Sequence, residues 1–149
     1  MRLIDANVLL YAVDSSSPAH EPARRWLEEA LSGREAVTFA WTTLLAFLRI
    51  TTLPRLLAEP LTVEEASTHV SSWLGQPNVS VVEPGERHWS LLCGLLSQSQ
   101  ARGNLVPDAH LAALAIEHGA VLCTTDHDFA RFPGLRWLNP LQGERPRRP

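Results

Sequence analysis

Lysine is absent from this sequence of 149 residues, and all thirteen basic residues are arginine. That absence excludes the phosphate loop of Walker-type nucleotide hydrolases and also Schiff-base enzymes, because both depend on a lysine side chain. Phosphoaspartate receiver domains and haloacid-dehalogenase-like phosphatases place an aspartate after their first strand, but they too normally use a lysine. The chemistry of this chain must therefore be carried by other side chains.

Cysteine and long apolar runs are also scarce. The two cysteines, Cys93 and Cys123, lie in a helical pattern and an apolar strand, so we expect buried free thiols rather than a disulfide or a zinc site. No apolar run is long enough to span a membrane, and residues 1–4 lead directly into a strand, which leaves no room for a signal peptide. We therefore expect a cytoplasmic protein that does not associate with membranes.

The order of the predicted elements indicates an α/β fold. Predicted strands alternate with helices, which favours a parallel sheet covered by helices on both faces, with right-handed crossovers. The net charge of −3 argues against a largely basic surface, and the length suits one domain with a real core. We assign residues 1–142 to this domain and the Arg- and Pro-rich residues 143–149 to a disordered tail.

Three aspartates lie at predicted junctions between a strand and a helix. Asp5 follows the first strand, Asp108 opens the helix that starts at Pro107, and Asp126 follows the strand at residues 121–125. The carboxyl ends of parallel strands meet along one edge of the sheet, where α/β proteins bind their ligands. Carboxylates gathered there repel one another unless a cation neutralises them, and oxygen ligands favour Mg²⁺ or Mn²⁺. The pattern predicts metal-dependent phosphodiester chemistry.

Polar neighbours could support such a site. Asp128 forms an Asp-x-Asp step with Asp126, and either carboxylate could accept a proton from an attacking water. Asn7 follows Asp5 by two residues and could orient it or bind a water. The hydroxyl group of Thr125 could hold a carboxylate or a water. We therefore predict Asp128 as a further catalytic residue, with Asn7 and Thr125 in supporting roles.

Each of these residues also has a structural interpretation. Asp5 could be a helix N-cap, which stabilises a helix by about 1 kcal/mol. Asp108 could simply be favoured by the helix dipole, and Asp126–Asp128 could form an Asx-turn. His110 points to another side of its helix from Asp108, and His127 has no second His or Cys at a zinc-binding spacing. Only the joint placement of the aspartates at one sheet edge favours a site.

Five runs of the sequence, taken in order, carry a family resemblance. They are IDANVLLY at 4–11, FLRITT at 47–52, NLVPDAHLAALA at 104–115, TTDHDFARF at 124–132 and GLRWLNP at 134–140. In these runs the chain resembles the PIN-domain ribonucleases, and among them the VapC toxins of type II VapBC toxin–antitoxin pairs, most of all the mycobacterial-type branch. The likeness covers nearly the whole chain and ends before the tail.

The resemblance implies a three-layer α/β/α PIN-like domain with a central parallel sheet of four to five strands, in which the first strand is central. Placing Asp5, Asp108 and Asp126 at one edge of this sheet requires the first and fourth strands to be neighbours. It also implies an endoribonuclease toxin that hydrolyses RNA with Mg²⁺ or Mn²⁺ and without a covalent intermediate. The family has four acidic positions, and Asp5, Asp108 and Asp126 match three of them as metal ligands. The fourth is usually a glutamate three residues before an arginine, but here Ala46 precedes Arg49. This departure leaves an alternative, a catalytically weak or inactive module that binds RNA or an antitoxin.

The resemblance further implies an RNA substrate, a homodimer and a VapB-like antitoxin whose helix lies in an apolar groove. The third and fourth predicted helices carry more apolar side chains than one buried stripe needs. The surplus around Leu53–Leu57 predicts an exposed protein-binding surface, with Arg49 and Arg55 at its rim. The other interpretation is that these side chains complete the core.

Overall fold

The computed structural model describes residues 1–54 and 56–142. The predicted tail at 143–149 and the predicted rim residue Arg55 lie outside the described residues. The strands are β1 (Arg2–Ile4), β2 (Val37–Ala40), β3 (Val79–Val82), β4 (Val121–Cys123) and β5 (Trp137–Leu138). The helices are α1 (Ala6–Val13), α2 (His20–Ser32), α3 (Trp41–Thr51), α4 (Val63–Leu74), α5 (His88–Ser99) and α6 (Val106–Glu117).

The strands form one parallel sheet in the order β3-β2-β1-β4-β5. The central strand is therefore β1, and its register with β4 places Ile4 beside Cys123. The backbone N–H of Asp5 donates to the Cys123 carbonyl at 3.0 Å, so the two strands end side by side. The residues that follow them, Asp5 and Thr124, start from the same edge of the sheet. The predicted α/β fold with β1 central and next to β4 is confirmed.

Alternate residues of each strand pack into opposite layers, as the pleat of a strand requires. Leu3 packs in a cluster with α5 and α6, whereas Ile4 packs in a cluster with α1, α2, α3 and α4. The same alternation separates Leu122 from Cys123 in β4. Helices therefore cover both faces of the sheet, which is the middle layer of an α/β/α fold.

One prediction about the cysteines was wrong. Cys123 is buried in β4 as expected, but Cys93 is exposed on α5. The reason is that α5 is apolar along most of its length yet buries only His88 and Leu95. An apolar helical pattern without a polar stripe did not reveal which face meets the sheet.

In the part of the chain that the structure describes, no helix combines the length and apolarity needed to cross a membrane.

Local sequence signals fix the starts of α4 and α6. At the start of α4, the Thr62 hydroxyl accepts from the Glu65 backbone N–H at 3.1 Å, and the Glu65 carboxylate accepts from the Thr62 N–H at 2.8 Å. This is the reciprocal cap that the sequence predicts. At the start of α6, Pro107 lies in the first turn with Asp108 beside it, and Gly119 (φ 63°) turns the chain after the last turn. These signals place Asp108 at the amino end of α6.

The loop between β3 and α5 is clasped by Glu117 at the end of α6. The Glu117 carboxylate accepts from the backbone N–H groups of Gly85 at 3.0 Å and Arg87 at 3.1 Å. The Arg87 guanidinium in turn donates to the Glu117 backbone carbonyl at 3.2 Å. A Cβ atom at Gly85 would lie 2.8 Å from Oε1 of Glu117, so a side chain at this position would force the Glu117 carboxylate to shift. We call this set of contacts the Glu117 clasp.

Gly85→Ala should lower the free energy of unfolding by about 1–2 kcal/mol, because the methyl group displaces the Glu117 carboxylate from its two backbone donors. Gly94→Ala, within α5, is the matched control, since a Cβ there would lie 3.7 Å from Nε2 of Gln98, an ordinary van der Waals contact. It should be neutral or stabilise by up to about 1 kcal/mol. Urea unfolding measures both variants, and equal effects would contradict the clasp.

Candidate active site

Asp5 lies between β1 and α1 and is the N-cap residue of α1. Its Oδ1 accepts from the backbone N–H of Ala6 at 2.7 Å, and its Oδ2 accepts from the Thr124 hydroxyl at 2.7 Å. One carboxylate oxygen therefore caps the helix while the other contacts the residue that follows β4. The cap and the site interpretations of Asp5 are compatible with each other.

Thr124 is fully buried, and its hydroxyl group makes three hydrogen bonds. It donates to Asp5, and it accepts from Nδ2 of Asn7 and from the backbone N–H of Asp126, both at 3.0 Å. A hydroxyl has one proton and two lone pairs, so the capacity of this group is fully used. Its proton is thereby directed at Asp5. The network holds residues from both strand ends together.

The hydroxyl group that contacts Asp5 is that of Thr124, not that of Thr125. Thr125 contributes its backbone N–H, which donates to Oδ1 of Asn7 at 3.3 Å. The predicted strand ran through Thr125, whereas β4 ends at Cys123. Had the strand end been placed there, Thr124 would have been the residue level with Asp5. The signal was present, but it depended on the exact end of the strand.

The other acidic residues lie along the same edge. Asp126 is exposed, and its Oδ1 accepts from the backbone N–H of Asp128 at 2.8 Å, which opens the short 3₁₀ helix His127–Arg131. Asp128 is exposed as well, and the Arg131 guanidinium lies 3.5 Å from it. Asp108, in the first turn of α6, is partly buried.

The charges of these residues act on one another. The pKa of Asp5 is raised from 3.8 to about 6, first by burial and then by the charges of Asp108 and Asp126, against the lowering effect of the hydrogen bonds from Thr124 and Ala6. Burial also raises the pKa of Asp108, followed by the charges of Asp126 and Asp128, while Arg131 lowers it. The four aspartates therefore share one region of negative potential, which a cation would relieve. We call Asp5, Asp108, Asp126 and Asp128 the acidic group.

The donor chemistry of the acidic group fits a hard divalent cation, because carboxylate oxygens are the ligands that Mg²⁺ and Mn²⁺ prefer. The side chains do not already form a coordination shell. Across residues 1–54 and 56–142, no three His, Cys, Asp or Glu side chains lie close enough together to hold an ion. Mg²⁺ keeps several of its waters and needs only one or two carboxylates, so the donor set remains sufficient.

Ala46, His110 and His127 lie on α3, on α6 and in the short 3₁₀ helix. Ala46, at the usual fourth acidic position, is partly exposed on α3. His110 pairs with His88, with 2.8 Å between Nδ1 of the first and Nε2 of the second, and burial followed by the neighbouring His88 lowers the pKa of His110. The ring of His127 packs edge-on against Trp137, with 5.5 Å between the ring centres.

The raised pKa of Asp5 predicts a pH-dependent stability. The folded protein binds the Asp5 proton more tightly than the unfolded chain, so ionisation of Asp5 destabilises the fold as pH rises. The loss begins near the unfolded pKa of 3.8 and is complete above about 6; it amounts to up to about 3 kcal/mol. In EDTA, the difference in unfolding free energy between the wild type and Asp5→Asn should change across this range. A difference independent of pH would contradict the raised pKa.

Thr124→Val tests whether the hydrogen bond from Thr124 lowers the pKa of Asp5. It removes the hydroxyl that stabilises the charged form of Asp5, so the pKa of Asp5 should rise above its wild-type value in an NMR titration. Thr124→Ser is the matched control, because it keeps the hydroxyl and should leave the pKa nearly unchanged. The same pKa in all three proteins would show that this hydrogen bond does not control the ionisation of Asp5.

The sequence matches a family model and a curated protein along most of its length. The model of the PIN domain matches residues 2–135. Ribonuclease VapC37 of Mycobacterium tuberculosis is 49% identical over 140 residues, which cover 94% of this chain and 97% of that protein. The match therefore includes every member of the acidic group.

Solved structures share the fold at low sequence identity. The structure of VapBC2 from Rickettsia felis bound to a DNA fragment from their promoter matches with a TM-score of 0.69 and 18% identity, over 93% of this chain and 97% of that one. A toxin–antitoxin complex from Klebsiella pneumoniae matches with a TM-score of 0.62 and 17% identity, over 94% and 98%. At these identities the likeness establishes the α/β/α arrangement alone.

Proposed function

This chain belongs to the PIN-domain family, among its VapC members, and on that basis we propose that it is an endoribonuclease. We infer that it requires Mg²⁺ or Mn²⁺ and acts as the toxin of a toxin–antitoxin pair. VapC37, which it matches over nearly its whole length, is named a ribonuclease. The observation that carries the proposal is the acidic group at the carboxyl edge of the sheet, in which the pKa of Asp5 is raised to about 6.

Asp5 and Asp108 would hold the divalent ion, with Asp126 completing the group directly or through a water. Such an ion, when bound, polarises a phosphate oxygen and lowers the pKa of the water that attacks in line. The exposed carboxylates of Asp126 and Asp128 can accept the proton of that water. Asp126 and Asp128 are therefore the general-base candidates, and Asp5 and Asp108 the ligands.

The hydrogen bonds of Asp5 leave it able to bind an ion. Each carboxylate oxygen accepts one bond, from Ala6 or from Thr124, and each keeps a second lone pair. Because the Thr124 proton is directed at Oδ2, that oxygen is held in place as an acceptor. Asn7 supports the arrangement by donating to the same hydroxyl. Thr124 and Asn7 are thus positioning residues in this proposal, with the Thr125 backbone N–H behind Asn7.

Asp5→Asn should reduce metal-dependent RNA cleavage by roughly 100-fold or more, because it removes a charged ligand of the ion. Asp14→Asn is the matched control, since Asp14 lies at the end of α1 and bonds Ser16 outside the acidic group. Fragments of structured RNAs are separated after incubation with Mg²⁺, Mn²⁺ or EDTA. Growth arrest that persists at full strength with Asp5→Asn would show that nuclease chemistry is not the toxic activity.

Ala46 favours a second candidate function, a module that binds RNA or an antitoxin and cleaves weakly. An alanine at this position supplies no oxygen to an ion, so the protein holds it with fewer carboxylates. Ala46→Glu should raise the affinity for Mn²⁺, measured by calorimetry, and the cleavage rate in the same RNA assay. RNA binding by the wild type without any metal-dependent product would favour the binding module over the enzyme.

A VapB-like antitoxin and a second copy of the chain are the partners that we propose with this function. Three side chains in this region are exposed: Leu45 on α3 (59%), Leu56 in the loop after α3 (56%) and Val63 at the start of α4 (62%). Leu44 and Phe47, by contrast, lie in the core. These exposed side chains, one of which lies within the predicted groove at Leu53–Leu57, support an apolar surface in this region. Large exposed apolar patches are typical of protein-binding surfaces. We call these residues the α3–α4 surface.

Leu45→Glu and Leu56→Glu should each weaken binding to the product of an adjacent antitoxin gene by about ten-fold, because a charge in an apolar interface loses its hydration. Trp89→Glu is the control, since Trp89 is an exposed apolar residue on α5, outside this surface. Binding is measured by calorimetry, and the mass of the free protein by light scattering. A protein that is a monomer at micromolar concentration and binds no such product would contradict both the proposed homodimer and the proposed antitoxin partner.

A further inference from the structure

A pocket of about 330 Å³ opens at the carboxyl ends of β2 and β3. Its lining includes Trp41, Thr42, Glu83, Pro84 and His110. We propose that this pocket is a subsite for one nucleobase of the RNA substrate, and that it prefers guanine. The proposal rests on the endoribonuclease function proposed above, and it names the part of the substrate that lies beside the phosphate.

The pocket borders the acidic group. Leu3 pairs with Thr38 in the parallel register of β1 and β2, so Ala40, which also lines the pocket, lies level with Asp5 one strand away. Neighbouring strands are about 4.8 Å apart. A nucleotide whose phosphate is bound at the acidic group can therefore place a base in the pocket.

The walls of the pocket suit a flat, partly apolar ring. The Trp41 side chain is 50% exposed, and Val82, Pro84 and Leu114 provide apolar surface. Unpaired RNA bases commonly stack on exposed aromatic side chains. The volume lies at the lower end of the range of about 300–1,000 Å³ found for small-molecule sites, which suits a single base.

A nearby carboxylate and one hydrogen bond between two histidines give the pocket an acceptor. Oε2 of Glu117 lies 3.5 Å from Nδ1 of His88, which has no hydrogen-bond partner among the described residues, and the negative charge favours the His88 proton on that atom. Nε2 of His88 then accepts from the Nδ1–H of His110 at 2.8 Å, so Nε2 of His110 carries a lone pair. The exposed Glu83, also in the lining, carries a carboxylate, a second acceptor. Guanine presents N1–H and a 2-amino group side by side, whereas uracil presents one ring N–H, so acceptors favour guanine.

The pocket is also held open before a ligand arrives. The Glu117 clasp fixes Gly85 and Arg87. The Glu83 carbonyl oxygen accepts a hydrogen bond from Nε2 of His118 at 2.9 Å. Both ends of the loop that forms one wall are therefore tied to the end of α6. Because this wall is already ordered, the binding of a base costs little further conformational entropy.

The test is an NMR titration of isotopically labelled protein in EDTA with guanosine monophosphate, uridine monophosphate or ribose 5-phosphate. Guanosine monophosphate should shift the indole N–H signal of Trp41, which is assigned by its loss in Trp41→Ala. It should bind several-fold more tightly than uridine monophosphate, and ribose 5-phosphate should not shift that signal. Trp41→Ala should lower the affinity for guanosine monophosphate about ten-fold, and Trp41→Phe should keep most of it. Trp89→Ala is the matched control and should bind as the wild type does.

Equal affinities for guanosine monophosphate and ribose 5-phosphate overturn the proposal, and this comparison needs only the wild type. Equal affinities of the wild type and Trp41→Ala for guanosine monophosphate also overturn it. If Trp41→Ala instead loses dimerisation or antitoxin binding while its nucleotide affinity is unchanged, the pocket holds a protein partner and the proposal fails. RNA cleavage is measured separately: cleavage without nucleotide binding sinks the subsite alone, and nucleotide binding without cleavage sinks the enzymatic function alone.

Discussion

The hydroxyl group of Thr124 binds three partners at the point where backbone pairing between the two central strands stops. The ladder between β1 and β4 ends at Ile4 and Cys123, and beyond it the chain diverges into α1 on one side and a short 3₁₀ helix on the other. Side-chain bonds must hold the edge together from there. Because Thr124 contacts Asp5, Asn7 and the backbone of Asp126, it sets the positions of both halves of the candidate site at once.

The hydrogen bond between Thr124 and Asp5 also affects the ionisation of Asp5. Burial and neighbouring carboxylates favour the protonated form of Asp5, whereas the bonds from Thr124 and Ala6 favour the charged form. A carboxylate in this position destabilises the folded protein unless a cation neutralises it. Binding of a cation to the folded protein alone then stabilises the fold by mass action. The electrostatic cost of Asp5 in the free protein and its affinity for an ion have one cause.

Alternating strands and helices were sufficient to predict a parallel sheet covered on both faces, whereas the central place of β1 beside β4 came from the family resemblance and from the need to bring the aspartates to one edge. The Thr62 cap was also readable, since its partner Glu65 is only three residues away. Longer-range features were not. The pairing of His88 with His110 joins residues 22 positions apart, and the role of Thr124 depended on where β4 ends. Helix and strand ends are uncertain by a residue or two, and one residue separates Thr124 from Thr125.

The exposure of Cys93 shows a related limit. The pattern of α5 is apolar on more than one side, so it specifies a helix but not its buried face. Which face is covered depends on the position of α6 and the sheet, and no local signal encodes that. The carboxylates were predictable for the opposite reason. Aspartates that directly follow parallel strands are brought to one edge by the topology itself, whatever the packing of the helices around them.

In the site proposed above, the residue at position 46 would bear on the ionisation of Asp5. A carboxylate there, at the fourth acidic position that the family resemblance implies, would add a further like charge to the acidic group and raise the pKa of Asp5 beyond its value of about 6. Asp5 would then be more largely protonated near neutral pH until an ion arrived, and binding of the ion would have to expel the proton. With Ala46 the protein offers the proposed ion one ligand fewer, and in exchange Asp5 is mostly ionised at neutral pH before any ion binds.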